Sequence, residues 1–113
     1  MSKIVECTVE LPQTIDRSIL NEAITLMRRY DNVMLIDEKD GEILLQFNDY
    51  GPFGAVTLQI KNGQLSMKVD DMIADKVKGI LKQKYIAAYI ARKTKARMKY
   101  DEKNHEMILE VPI

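Results

Sequence analysis

A chain of 113 residues with 46% hydrophobic and 30% charged residues has the composition of a globular protein, which excludes a disordered one. Its length predicts a single domain over residues 1–113, because a second core would leave neither half large enough. The net charge is zero, and the only cysteine is Cys7, so we expect no internal disulfide. No apolar run is long enough for a signal peptide or a membrane helix, so we expect a cytoplasmic protein with no membrane contact.

The predicted elements follow the order β-α-β-β-β-β-α-β-β. Residues 3–11 carry alternating apolar side chains from Cys7 onward and read as a first strand that Pro12 ends. Thr14 or Asp16 can cap the helix that follows, because a short side-chain oxygen accepts from the free amides of the first turn. Apolar residues at three- and four-residue spacing carry that helix to about residue 30.

Two hairpins come next. Their predicted strands are Val33–Ile36 with Glu42–Phe47, and Ala55–Lys61 with Gln64–Val69. Asp40-Gly41 and Asn62-Gly63 supply the positive φ that tight hairpin turns require. The second hairpin alternates cleanly between apolar and polar side chains, and an irregular corner over residues 48–54 joins the two.

A long helix is predicted from about Met72 to Thr94, capped by Asp70 or Asp71, with Gly79 as its weak point. The tail predicts two more strands, 97–101 and 106–112, around a polar turn. Long antiparallel runs with two helices, and no regular alternation of strand and helix, predict an α+β fold: an antiparallel sheet with two helices on one face.

Nine basic and no acidic side chains lie between Lys76 and Tyr100. A helical wheel assigns seven residues to the packing face of the long helix: Ile73, Val77, Ile80, Leu81, Ala87, Ala88 and Ala91. A stripe of bases and tyrosines follows another side of the helix: Lys78, Lys82, Tyr85, Tyr89 and Arg92, with Lys93 beside it. Lys84 falls inside the apolar sector, which indicates either a side chain that reaches out to solvent or a helix broken near Gly79.

We predict that this stripe contacts a protein partner or a second copy of the chain, so that the protein is a non-enzymatic binding or assembly module. Ile86 and Ile90 widen the apolar arc of the helix and favour self-association. The alternative is a nucleic-acid-binding protein, in which the bases neutralise phosphates and the tyrosines stack on unpaired bases. A solvated surface, or a surface that complements the acidic remainder of the chain, explains the same residues.

The sequence offers little catalytic chemistry. His105, the only histidine, lies in a predicted turn, and Cys7 in its strand is typical of a small core residue. The acidic residues at 70–75 are explained by a capping role at the start of the long helix. We therefore predict no catalytic residues, no cofactor and no metal. If the chain were an enzyme, Asp49 and Tyr50 beside the corner between the hairpins would be the best-placed polar groups.

A hairpin closing on Asp70-Asp71, the segment Leu81-Lys82-Gln83-Lys84-Tyr85 and a final hairpin resemble, in this order, a small uncharacterised family. That family is known as a hypothetical reading frame of red-algal plastid and cyanobacterial genomes, with bacterial and phage relatives. The chain departs from the family at Lys103-Asn104-His105, where a glycine turn is usual, and in its denser basic run. The resemblance implies no assigned activity and no catalytic residues. By analogy, it implies an accessory role beside an ATPase of the AAA type.

Overall fold

The computed structural model of the protein describes residues 3–11, 14–94, 97–101 and 103–110. Five strands form an antiparallel sheet in the order β1-β5-β4-β3-β2. Their bounds are β1 Ile4–Val9, β2 Val33–Lys39, β3 Glu42–Phe47, β4 Ala55–Lys61 and β5 Gln64–Asp70. The first strand pairs with the fifth, so β1 and β2 are the two edges of the sheet.

Both predicted hairpin turns are present. Asp40 and Gly41 have φ values of 54° and 80°, and Asn62 and Gly63 have φ values of 53° and 76°. Two successive residues with positive φ match the right-handed twist of the flanking strands, which is why these dipeptides fix the register of the hairpins. The predicted pairing of the second hairpin is confirmed.

Two helices follow the predicted positions: α1 spans Arg17–Tyr30 and α2 spans Ala74–Thr94. The cap of α1 is Asp16, whose Oδ1 accepts a hydrogen bond of 2.8 Å from the N–H of Ser18. At the start of α2, Asp70 Oδ1 accepts a hydrogen bond of 2.9 Å from the N–H of Met72, so Asp70 holds the turn that leads into the helix. Gly79 does not interrupt α2.

The two remaining predicted strands form a hairpin of their own. β6 spans Arg97–Asp101 and β7 spans Glu106–Glu110, and they pair as a separate two-stranded sheet. The last two predicted residues of β7 lie outside the described residues. The corner between the two long hairpins is a 3₁₀ segment over Asn48–Phe53, kinked at Gly51. The α+β class and the order of strands and helices are therefore as predicted.

The core lies between the sheet and the two helices, which also pack against each other. The predicted packing face of the long helix is buried at five positions: Ile73, just before α2, and Val77, Leu81, Ala87 and Ala88 within it. Ile80 and Ala91 are half-buried. Two residues that the wheel did not assign to this face, Lys84 and Tyr85, are buried as well. The buried arc of α2 is wider than the arc that its apolar residues cover, because α2 packs against α1 as well as against the sheet.

Within the described ranges, no helix has both the length and the apolar character needed to cross a bilayer.

Candidate functional site

The predicted stripe on α2 does not form one continuous exposed surface. Tyr85 is only 4% exposed, and its hydroxyl accepts a hydrogen bond of 3.0 Å from the N–H of Asp16, the cap residue of α1. Placing Tyr85 in a partner-binding surface was therefore wrong. Its ring fills the space between the two helices, and its hydroxyl satisfies a backbone donor at the start of α1.

Arg92 contacts α1 as well. Its guanidinium forms an ion pair with Glu22 and donates a hydrogen bond to the hydroxyl of Ser18. Lys93 Nζ lies 5.6 Å from the centre of the Tyr89 ring, within the range of a cation–π contact. These contacts engage part of the predicted stripe within the fold.

The other bases of the stripe, Lys78 and Lys82, are half-exposed on α2. They remain accessible to a partner, but without Tyr85 and with Arg92 held by α1 they do not form the continuous row that the wheel predicted.

An ion pair with Asp31, at the end of α1, explains why Lys84 lies in the apolar sector of α2. The side chain is 1% exposed, its Nζ lies 3.0 Å from Asp31 Oδ2, and it donates a hydrogen bond of 2.7 Å to Gln83 Oε1. Burial raises the pKa of Asp31, the hydrogen bond and the charge of Lys84 oppose that rise, and the charge of Asp49 adds to it. The pair joins the end of α1 to the middle of α2.

A cleft of about 330 Å³ opens beside this pair. Its lining includes Asp49 and Tyr50, which the sequence analysis considered together, and His105, which it considered separately. Asp49 Oδ1 accepts a hydrogen bond of 3.0 Å from Asn32 Nδ2, which ties the 3₁₀ segment to the start of β2. This contact gives Asp49 a structural role. Among the described residues, no group of His, Cys, Asp and Glu side chains is arranged to hold a metal ion.

The open edge of β2 is the feature that sequence reasoning missed. The N–H of Phe47 donates to the carbonyl of Gly54, on the side of β3 away from β2, and Val33 lies opposite Phe47. Opposed residues in an antiparallel ladder alternate between hydrogen-bonded and non-hydrogen-bonded pairs. The backbone groups of Val33 and Leu35 therefore point away from β3, towards the open edge, while those of Met34 point towards β3.

Apolar side chains accompany these free backbone groups. Met34 is 52% exposed, Leu35 is 37% exposed and Ile36 is 51% exposed. The opposite edge differs in character, because the exposed side chains of β1 beyond Ile4 are Glu6 and Thr8. An apolar edge with free amides and carbonyls is a template for a further strand.

Two features limit the length of this template. The register of β2 and β3 shifts between Leu35 and Asp37, so Ile36 forms a bulge. Beyond it, Asp37, Glu38 and Lys39 are charged and exposed. The regular open ladder is thus confined to Val33–Leu35, which we call the β2 edge.

A cleft of about 450 Å³ runs between the β2 edge and α1. Thr25, Arg28 and Arg29 of α1 form its other wall. Arg29 lies 5.9 Å from the centre of the Tyr30 ring. Among the residues that the structure describes, no carboxylate forms an ion pair with Arg28 or Arg29. A strand at the edge would thus meet two arginines beside an apolar strip.

The sequence signal for this edge was the run Val33-Met34-Leu35-Ile36. Four successive apolar residues in an antiparallel strand cannot all face the core, because neighbouring side chains point to opposite faces. At least one had to lie on the outer face or at an edge.

Comparison with protein families, curated proteins and solved structures found no match for this chain. The family resemblance described above stays a prediction.

Proposed function

We propose that this protein is a non-enzymatic binding module that takes up an extended protein segment as an additional strand at the β2 edge. The observation that carries the proposal is the pair of backbone positions, Val33 and Leu35, that no described strand pairs with on the edge side, beside exposed Met34, Leu35 and Ile36. In strand addition, main-chain hydrogen bonds supply affinity and alternate side chains supply specificity.

The size of the edge predicts a weak or moderate affinity. Val33 and Leu35 offer two amides and two carbonyls, and each hydrogen bond contributes about 1 kcal/mol net. Covering Met34 and Leu35 contributes about 2 kcal/mol for each side chain at full burial. The loss of translational and rotational freedom offsets much of this gain, so we expect dissociation constants on the order of micromolar or weaker.

The proposal moves the contact surface from α2 to β2. On α2, a partner would have to compete with α1 for Arg92, and Tyr85 is out of reach. At the β2 edge, a partner would displace none of the described strands.

Selection of peptides from a random display library on the folded protein tests the proposal. We expect selected peptides to protect the amides of Val33 and Leu35 from hydrogen exchange, while Met34 is already bonded to β3. The Leu35→Lys variant should weaken their binding at least tenfold, since lysine at a sheet edge opposes pairing. Ile4→Lys, at an exposed apolar position on the opposite edge, is the matched control and should bind as the parent protein does. Peptides that bind elsewhere, or that bind Leu35→Lys unchanged, would refute strand addition.

The nucleic-acid alternative is a separate prediction with its own test. Lys78, Lys82 and Lys93 are the bases of the predicted stripe that are at least partly exposed and that α1 does not engage. Fluorescence anisotropy with labelled oligonucleotides should then show binding that weakens steeply with salt, and Lys78→Gln with Lys82→Gln should flatten that dependence. Absence of binding at low salt would exclude this alternative.

A further inference from the structure

The charges along the β2 edge identify the kind of strand that fits it. At the start of β2 the edge is flanked by Arg28 and Arg29 of α1. At its far end lie Asp37, Glu38 and Lys39, all exposed, and Glu38 forms an ion pair with Arg17 of α1. Asp37 forms no ion pair with a described residue. The edge therefore has two arginines at one end and a carboxylate without an ion pair at the other, with the apolar Val33–Leu35 between them.

A strand that complements this edge in antiparallel orientation needs acidic residues at one end and basic residues at the other. The β2 edge itself has this arrangement, with Arg28 and Arg29 of α1 beside its start and Asp37 beyond its end. A two-fold interface brings the same patch of both subunits together, so it requires a self-complementary surface. On the basis of the proposed function, we infer that the strand taken up at the β2 edge is β2 of a second copy of this chain.

The free backbone groups define the register of this pairing. Val33 and Leu35 must lie opposite a residue whose backbone groups also face the edge, so Val33 pairs with Leu35 of the partner subunit and Leu35 pairs with Val33 of the partner subunit. The two-fold axis then passes between the two copies of Met34. These two residues form a non-hydrogen-bonded pair, with Cα atoms about 4.5 Å apart.

This register also occupies the cleft beside α1. Leu35 lies on the helix side of the sheet, because it is opposite the buried Leu45. Leu35 of the partner subunit, opposite Val33, therefore enters the cleft that Thr25 and Arg28 close on the other side. Asp37 of the partner subunit reaches Arg28 and Arg29. The product is a continuous ten-stranded sheet with the helices of both subunits on one face.

Disulfide trapping tests the register. In a Cys7→Ser background, which removes the only native cysteine, Met34→Cys places two thiols at the two-fold axis, within the Cα separation that a disulfide accepts. Ile36→Cys is the matched control, since it is exposed on the same strand but its copies would lie about 13 Å apart. We expect Met34→Cys to form the covalent dimer at least tenfold faster. Equal rates for the two variants would overturn the register.

A charge exchange tests the identity of the partner. Arg28→Glu with Arg29→Glu places like charges at both ends of the pairing, and so does Asp37→Lys, which leaves the ion pair of Glu38 with Arg17 in place. Each variant alone should be monomeric by sedimentation at concentrations where the parent protein is dimeric. Their mixture should form a one-to-one dimer, because the exchanged charges complement each other at both ends. Circular dichroism checks that both variants fold.

The outcomes separate this inference from the proposed function. A parent protein that stays monomeric up to about millimolar concentration, or a mixture that does not associate, overturns self-pairing. If display-selected peptides still protect Val33 and Leu35 in that case, strand addition stands and only the identity of the strand was wrong. If neither a second copy nor a peptide occupies the edge, both proposals fail.

Discussion

Replacing Lys84 by methionine should destabilise the protein strongly. Methionine fits the apolar surroundings of the side chain but leaves Asp31, whose side chain is 14% exposed, without its cation. Asp31 Oδ2 is buried and has no hydrogen-bond partner among the described residues, and the ammonium of Lys84 lies 3.0 Å from it. Removing one partner of a buried pair costs about 3 kcal/mol. With a urea m-value of about 1.5 kcal/mol/M, the unfolding midpoint should fall by about 2 M.

The loss should depend on pH in a defined direction. Burial raises the pKa of Asp31 in the folded protein, and Lys84 opposes that rise, so its removal raises this pKa further. A carboxyl group with a higher pKa in the folded state binds more protons there than in the unfolded state. The free energy of unfolding therefore increases as pH falls from the folded pKa of Asp31 towards its usual value of 3.8. Lys84→Met should recover part of its stability in this window.

Urea unfolding from pH 4 to pH 8 tests both statements. The double variant Lys84→Met with Asp31→Asn removes both charges and should be more stable at pH 7 than Lys84→Met alone, without the same recovery on acidification. Lys82→Met is the matched control, because it changes a half-exposed lysine on the same helix and should cost less than about 0.5 kcal/mol. The reasoning is refuted if Lys84→Met and Lys82→Met unfold at the same urea concentration at pH 7.

Three further substitutions test packing by thermal unfolding. Gly54→Ala would place its Cβ 2.0 Å from the carbonyl oxygen of Phe47, so we expect a loss of about 3 kcal/mol. Gly79→Ala meets no heavy atom within 4 Å and should stabilise α2 by about 0.5–1 kcal/mol; a lower melting temperature would contradict this. Tyr85→Phe removes the acceptor for the N–H of Asp16 and should cost about 1 kcal/mol, or about 5 °C in melting temperature, whereas an unchanged melting temperature would show that water replaces the hydroxyl.

Local chemistry explains why the order of elements was predictable. Asp40-Gly41 and Asn62-Gly63 can adopt the positive φ of a tight hairpin. Asp16 and Asp70 accept hydrogen bonds from amides two residues further along the chain, and these bonds do not depend on how the helices pack. These signals act over a few residues. They therefore do not depend on which surfaces meet in the folded protein.

Which elements pack against α2 and β2 could not be predicted from such short-range signals. A helical wheel assigns α2 one packing face, but α2 packs on both the sheet and α1, which buries Lys84 and Tyr85. Their partners, Asp31 and Asp16, are more than 50 residues away in sequence. The β2 edge was missed for a related reason: whether a strand is central or lies at an edge depends on the order of strands, which short-range patterns do not encode.

The segregation of charge along the sequence becomes complementarity in space. Lys84 and Arg92, from the basic run, form ion pairs with Asp31 and Glu22 at α1. Part of the basic run thus stabilises the contact between the two helices, as the hypothesis of a self-complementing surface requires. Arg28 and Arg29 differ from Lys84 and Arg92. They are basic residues in the acidic part of the chain, and no described carboxylate pairs with them. Unpaired arginines beside an apolar edge strand remain available for binding, which is why we place the contact surface at β2.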